Sequence, residues 1–363
     1  MPHTPPSFWR SPRLRQRMPQ DEIEIPAPPQ KPSPPGSLWR TLLPAILTVT
    51  VMAFLALFLS GNGQSGSNML LFSVPLMLVS SASSVYFFFQ ERREHKRKNT
   101  EREEKYRLYL QQTVEKLEEL SKHQAEILKA ENPTPAQCVD IVQRRGRRLW
   151  ARTRTDDDFM VVRLGQGRRA SSIQVKVPQQ QNVFEPEPLI SEAQALASRY
   201  AELSEAPLCL SLPEAGSLGL AGPRRHRLNA MRALTIQLAT HHSPDEVKLA
   251  AIFPTGEKSD WDWLRWLPHT WDEAHRRRFL ACDQSEAHAL LDDLNDLLNR
   301  REARLQDHSG AGQVEFDTHW VVFLVAPELT ENDPVWQRLQ AEGPHLGVFS
   351  ILVCEQFRDL PAD

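Results

Sequence analysis

Two long stretches without a charged side chain, 41–59 and 69–89, stand close together near the start of the chain and limit what it can fold into. About 20 apolar residues in a helix span roughly 30 Å of hydrocarbon, so each stretch can cross a bilayer. The segment between them, 60–68, carries no charge and is too short to be a domain. The chain is therefore expected to enter a membrane, turn and return at once, with about three quarters of its 363 residues left on one side. Basic residues flank the pair: Arg10, Arg13, Arg15, Arg17, Lys31 and Arg40 before it, and Arg92, Arg93, Lys96, Arg97 and Lys98 after it. The positive-inside bias then puts both termini in the cytoplasm, as in a multi-pass protein of the cell membrane. The first stretch is too long for a cleavable signal, and no small-residue cleavage site follows it. Neither stretch holds an ionisable residue, which weighs against an ion or proton path. The run Ser80-Ser81-Ala82-Ser83-Ser84 allows close helix contact, within the hairpin or between copies.

The net charge of −3 gives no nucleic-acid footprint. Cys138, Cys209, Cys282 and Cys354 are far apart with no CxxC spacing, which suits a reducing compartment and argues against a disulfide framework or zinc site. Residues 1–40 form a proline-rich arm with room for a short strand at 22–25. From 90 to 130 there is neither proline nor glycine, and Tyr106, Leu110, Thr113, Leu117, Leu120, Gln124 and Ile127 recur in steps of four and three. That is a seam on one helix face. A long helix is expected to carry the second stretch into a stalk, 90–178, and to end at Asn132-Pro133-Thr134-Pro135. A second helix over 136–152 is expected to fold back on it through Val139, Val142 and Leu149. Two β-rich runs, 159–164 and 171–177, read as a hairpin around Gly165-Gln166-Gly167. After a proline-containing linker, 178–188, strands at 207–211, 217–221, 247–253, 320–325 and 348–354 alternate with helices at 190–204, 225–241, 285–304 and 333–341. Such alternation implies a parallel, doubly wound α/β domain over 190–363. The last strand lies near Asp363, where a domain of this kind usually continues, so the domain is open to continuation.

The segment from Gly216 to Arg224 is a strand–glycine–helix junction of the kind that carries a phosphate loop in nucleotide-binding folds. A working loop reads G-x-x-x-x-G-K-[ST], with backbone N–H groups on phosphate, Lys on the β and γ phosphates and a hydroxyl on Mg²⁺. With Gly219 and Gly222 in place, the chain offers Arg227, Leu228 and Asn229 where Gly, Lys and Ser/Thr belong. The strand at 320–325 ends in Ala326-Pro327-Glu328 where a metal-holding Asp would stand. The scaffold thus reads as a P-loop-like domain without the catalytic groups. The competing reading is an unrelated α/β domain whose glycines only make a tight turn. Arg224, Arg225 and Arg227 at a helix start can attract an anion, although clustered arginines are usually a solvated face.

Taken in order, several pieces resemble the N-terminal part of the EccC/EssC-type FtsK/SpoIIIE membrane ATPase of type VII secretion. They are Phe8-Trp9-Arg10-Ser11-Pro12-Arg13, the two apolar stretches, Arg148-Leu149-Trp150-Ala151-Arg152, Asp157-Asp158-Phe159, Val162-Arg163-Leu164-Gly165-Gln166-Gly167, Leu218-Gly219-Leu220-Ala221-Gly222, and Trp261-Asp262-Trp263-Leu264-Arg265-Trp266-Leu267-Pro268-His269. The resemblance implies a membrane hairpin, a stalk and a degenerate ATPase-like domain, followed in the family by FtsK-type ATPase modules. It also implies a hexamer, other secretion-system membrane components as partners, and export of WXG100-type substrates. Because no intact Walker motif appears, the chain is not expected to catalyse by itself. ATP and Mg²⁺ are expected only on the FtsK-type modules, and no cofactor is expected here. A two-span sensor or scaffold with a coiled stalk is the alternative. The short outer segment argues against it, and the missing Lys and Ser/Thr argue against an autonomous NTPase.

Arg148, Trp150, Asp158 and Arg163 are interface candidates on this resemblance. The arginines at 144, 145, 147 and 148 suit either a solvated helix face or contact with acidic headgroups. Trp261, Trp263, Trp266 and Trp271 suit core packing or a docking face for a motor module. His241-His242 and Arg276-Arg277-Arg278 read as ordinary surface, and Asp156-Asp157-Asp158 lacks the further ligands of a calcium loop.

Overall fold

The computed structural model describes residues 12–33, 46–47, 50–51, 54, 66–180, 186–307, 315–330 and 333–360. In chain order the main elements are β1 (Glu22–Glu24), α1 (Gly66–Glu131), α2 (Pro135–Gln143), β2 (Val161–Ala170), β3 (Gln174–Lys176), α3 (Pro188–Tyr200), β4 (Glu202–Ser211), β5 (Ser217–Ala221), α4 (Arg224–His241), β6 (Val247–Ile252), β7 (Leu280–Ala281), α5 (Gln284–Asp307), β8 (His319–Leu324), α6 (Pro334–Ala341) and β9 (Val348–Cys354). By contacts the chain divides into two compact units. One holds residues 1–18, 123–170 and 203–363, the other 19–122 and 171–202.

The first unit is built on a five-stranded sheet in the order β5-β9-β8-β6-β7. Every pairing is parallel, with Leu218 opposite Ile351, Val321 opposite Phe349 and Leu249 opposite Val321. Strands buried on both faces run largely apolar, and VKLAAI and VFSILVC are buried at every position, with Lys248 and Ser350 as polar exceptions. Side chains alternate across the sheet. On one face, Leu249, Ala251, Val321, Phe323, Ile351 and Val353 pack with Met231, Leu234 and Leu238 of α4. On the other, Ala250, Ile252, Val322 and Leu324 pack with Leu291, Leu294 and Leu298 of α5 and Trp336 of α6. Helices on both faces of a parallel sheet give the doubly wound α/β layout expected from the alternation.

The second unit is organised by α1. One unbroken helix contains both the second apolar stretch and the seam, and it ends at Glu131, just ahead of Pro133. Tyr106, Leu110, Thr113 and Leu117 are buried. Ile25, Leu189 and Ala193 cover the first two, while Ile23, Ile173 and Tyr200 cover Leu117. The expected strand in the arm forms as β1 and pairs in parallel with β3.

Two expectations fail. Residues 159–177 make no hairpin: β2 pairs with β4, and β3 pairs with β1. Gly165 and Gly167 lie inside β2 rather than in a turn. A Cβ at Gly167 would stand 2.8 Å from Leu208 Cδ1, so this glycine admits a neighbouring strand. The helix expected over 136–152 ends at Gln143. Thr134 and Gln137 form a capping box at its start. Arg145 takes a left-handed φ of 48° just after its end, which the helix cannot continue through. Val139 and Val142 are exposed, and the inward residue is Cys138.

Of the first apolar stretch only Ile46, Leu47, Thr50, Val51 and Phe54 are described, all helical; the rest lies outside the described residues. The second is helical throughout. Among the described residues no helix is long and apolar enough to cross a membrane.

Candidate functional site

At the junction expected to resemble a phosphate loop, β5 passes to α4 through two residues, Gly222 and Pro223. Gly222 has φ +146°, a backbone state that side chains with a Cβ avoid. Its N–H donates to the Cys354 carbonyl at 3.3 Å, and the N–H groups of His226 and Arg227 donate to the Pro223 carbonyl at 2.9 and 3.1 Å. The amides of Gly222, His226 and Arg227 are thus engaged by the sheet and the first helical turn. Arg227 and Asn229 lie inside α4, past any loop. Arg227 reaches sideways to Glu355 at 3.2 Å. Arg224 is bound by Glu257 at 3.1 Å and by Asp260. Gly219, inside β5, faces Leu360, whose methyls would stand 2.7 Å from an added Cβ. At the end of β8, Ala326 is fully buried and Glu328 is exposed in a turn. The junction holds a tight turn ringed by internal ion pairs.

Of the interface candidates at 148–163, Trp150, Asp158 and Arg163 bond inward and Arg148 is exposed. Arg13, from the proline-rich arm, holds both carboxylate oxygens of Asp158 at 2.5–2.6 Å. On the same carboxylate, Arg152 Nε stands at 3.2 Å. Arg152 is 2% exposed and donates to the carbonyls of Glu131 and Val161 at 2.9 and 2.6 Å. Burial opposes charge on Asp158, but the bond from Arg13 and the charge of Arg152 outweigh it and hold the carboxyl at about 2. Arg163 donates to the Asn132 and Gly165 carbonyls, and Gln237 brackets its backbone at 2.7 and 3.0 Å. Trp150, at a left-handed φ of 55°, donates its N–H to Thr240 O and its indole N–H to Ala239 O. Arg148 is exposed and donates to Ala130 O. A cavity of about 260 Å³ beside the node is lined by Arg13, Arg147, Arg148 and Arg152 with Glu131.

His241 and His242, read from the sequence as surface, are buried at 4% and 0% exposure. His242 accepts the Met160 N–H at Nε2 (3.0 Å), so Nδ1 donates to Leu238 O, also at 3.0 Å. Its carbonyl accepts from His269 Nε2 at 2.9 Å. Burial first, and the charge of Arg152 second, push His242 down to about 3. These histidines are neutral structural links. Their signal was the largely apolar strand that follows them, whose core they must join.

The tryptophans separate. Trp261 is buried and stacks on Phe253 at 6.0 Å. Trp263 is half-buried and donates to Asp260 O at 2.9 Å. Trp266 is 78% exposed, with the Arg265 guanidinium 5.6 Å from its ring centre.

No protein-family model matches the chain. Whole-chain relatives do. The ESX secretion system protein YukB of Bacillus subtilis (strain 168) is 24% identical over 353 residues, which is 96% of this chain and 23% of the relative. EccC of Geobacillus thermodenitrificans (strain NG80-2) is 25% identical over 352 residues, with the same coverage. The type VII secretion system protein EssC of Staphylococcus aureus (strain NCTC 8325 / PS 47) is 23% identical over 359 residues, 98% of this chain and 24% of the relative. The chain is homologous to the EccC/EssC-type proteins of type VII secretion. It spans about a quarter of the length of the relatives it matches. Among solved structures, EssC (ATPases 2 and 3) from Geobacillus thermodenitrificans covers 59% of this chain and 36% of that one at 15% identity and a TM-score of 0.39. The cytoplasmic domain of EssC covers 43% and 32% at 18% identity and a TM-score of 0.36.

Of the pieces that carried the resemblance, Arg148 and Trp266 are exposed, and others bond inward. Asp158 and Arg163 hold the first unit together, and Gly222 makes the turn into α4.

Proposed function

We infer that the chain is the membrane-anchoring and stalk portion of a type VII secretion translocase component. It couples FtsK-type ATPase modules outside this chain to an export channel for WXG100-type substrates. The observation that carries this reading is α1. A single helix joins the second apolar stretch to the stalk, and Val79, Val85, Tyr86, Phe87 and Phe89 are 43–65% exposed along it. A run of large exposed apolar side chains marks a surface meant for lipid or protein. The aromatic cluster at 86–89, followed by Arg92 and Arg93, has the order of a membrane interface. Homology over 96–98% of the chain supports a role in the same secretion system. In this reading both termini are cytoplasmic, the assembled machine is a hexamer with other membrane components, and the degenerate junction docks a motor module without turning over ATP.

Two measurements test it. A cysteine placed at Gln64 is expected to react with a membrane-impermeant maleimide from outside intact cells, while one at His123 reacts only after lysis. The tagged chain, purified from native membranes, is expected to bring down an FtsK-type chain and secretion components. Recovery of a lone monomer, with secretion intact in a deletion strain, would sink the reading.

A further inference from the structure

β5 is an edge of the five-stranded sheet: β9 lies on one side of it and, among the described residues, no strand lies on the other. Its pairing fixes which way its backbone groups point. The Gly222 N–H donates to the Cys354 carbonyl, toward β9. Backbone groups alternate between the two sides of a strand. Leu218 and Leu220 therefore also face β9, and Ser217, Gly219 and Ala221 turn their N–H and C=O groups outward. All three are exposed, and among the described residues none of their N–H groups has an acceptor. Natural edges are blunted by charge, proline, a bulge or a covering element. β5 reads SLGLA, without charge or proline, and its register with β9 runs unbroken from Ser217 opposite Ser350 to Ala221 opposite Cys354.

This edge is complementary to itself. About a two-fold axis through Gly219, a second copy of β5 runs antiparallel to the first, with Ser217 opposite the second copy's Ala221. The outward residues then face one another in pairs, and each such pair in an antiparallel ladder exchanges two hydrogen bonds. Leu218 comes opposite the second copy's Leu220. Both leucines are half-buried against the core on the α4 side, and cross-strand apolar pairs of this kind stabilise a ladder. On the other face, Leu360 packs on Gly219.

Charge selects the direction. Glu214 stands three residues ahead of β5 and Arg225 four residues past it, both exposed and, among the described residues, neither in an ion pair. The neighbouring arginines are already held, Arg224 by Glu257 and Asp260 and Arg227 by Glu355. An antiparallel copy brings the start of one strand beside the end of the other, so each Glu214 meets an Arg225. A two-fold interface makes that match twice. A parallel copy would set like ends together.

We propose that β5 is a dimerisation edge, which pairs antiparallel with β5 of a second copy of this chain and joins the two five-stranded sheets into one. This goes beyond the translocase reading and does not depend on it.

The test is sedimentation of the detergent-solubilised full chain over a range of concentrations. A monomer–dimer equilibrium is expected. Ala221→Pro removes an outward N–H and leaves the bonds to β9 in place, as proline on an edge strand can. It is expected to weaken the dimer about tenfold or more. Glu214→Arg and Arg225→Glu are each expected to weaken it about threefold or more, and the two together to restore it. Thermal unfolding checks that each variant is folded, and if Ala221→Pro is not, the charge reversals decide. A monomeric wild type, or a dimer indifferent to these changes, overturns the proposal. Weakening by both single reversals without rescue by the pair also overturns it, and would assign the edge to a strand from a different chain.

Discussion

Two buried clusters of cations sit in the same unit and are handled in opposite ways. Around Asp158, Arg152 and Arg13 meet a carboxylate and the account closes within the chain. Around Lys248, the described hydrogen bonds of Lys248 and Arg301 go to backbone oxygens, and the carboxylates of Asp272, Glu273 and Asp317 line the same cavity without a described ion pair to either. Comparable burial with and without a direct ion pair separates a closed joint from a cluster whose charges are balanced at longer range.

The comparison can be broken most forcefully at Asp158. Asp158→Asn keeps the shape but leaves Arg152 buried beside an amide. Removing one partner of a buried pair costs about 3–5 kcal/mol, so urea denaturation should show a loss of that order. A loss under about 1 kcal/mol would mean that the node is not the joint described.

Acid should act next. His242 at about 3 and His269 at about 4 lie below the value near 6.5 of an unfolded histidine, so the unfolded chain binds more protons. Their stabilisation is complete above about pH 6.5 and falls as the pH drops toward 3. Asp158, held at about 2, adds a loss as the pH falls from about 4 to 2. A urea midpoint that stays flat from about pH 7 to 4.5 would contradict the buried neutral histidines.

Arg13→Ala removes only one of Asp158's two partners. It should cost about 1–2 kcal/mol by the same urea measurement, well short of Asp158→Asn. Smallest is Lys248→Met, which keeps the stem and forfeits one bond to a carbonyl. Its stability should stay within about 1 kcal/mol of wild type in either direction. A loss as large as that at Asp158 would show that Lys248 is a structural joint after all.

What the sequence made legible was local and periodic. β5 and β9 fall where their apolar runs place them, and the seam from Tyr106 to Leu117 is buried as the steps of four and three require. What it hid depended on partners distant in the chain. Gly165 and Gly167 read as a turn because the nearness of Leu208 is not written beside them. His241 and His242 read as surface because their partners lie elsewhere, Cys138 for the first and Leu238, Met160 and His269 for the second. Asp158 was noticed as part of a motif, but its bond to Arg13, 145 positions away, has no local signature. At the junction, the missing Lys and Ser/Thr were visible in the letters, whereas the engagement of the Gly222 amide by Cys354 was not.

The long helix has one consequence for how motion travels. Phe88 and Tyr106 are both buried and stand 18 residues apart, which is about five whole turns, so they share one azimuth. With no proline or glycine between them, rotation at one end arrives at the other in phase. One residue inserted between them would turn one end against the other by roughly 100°, whereas 18 would lengthen the shaft and leave its phase unchanged.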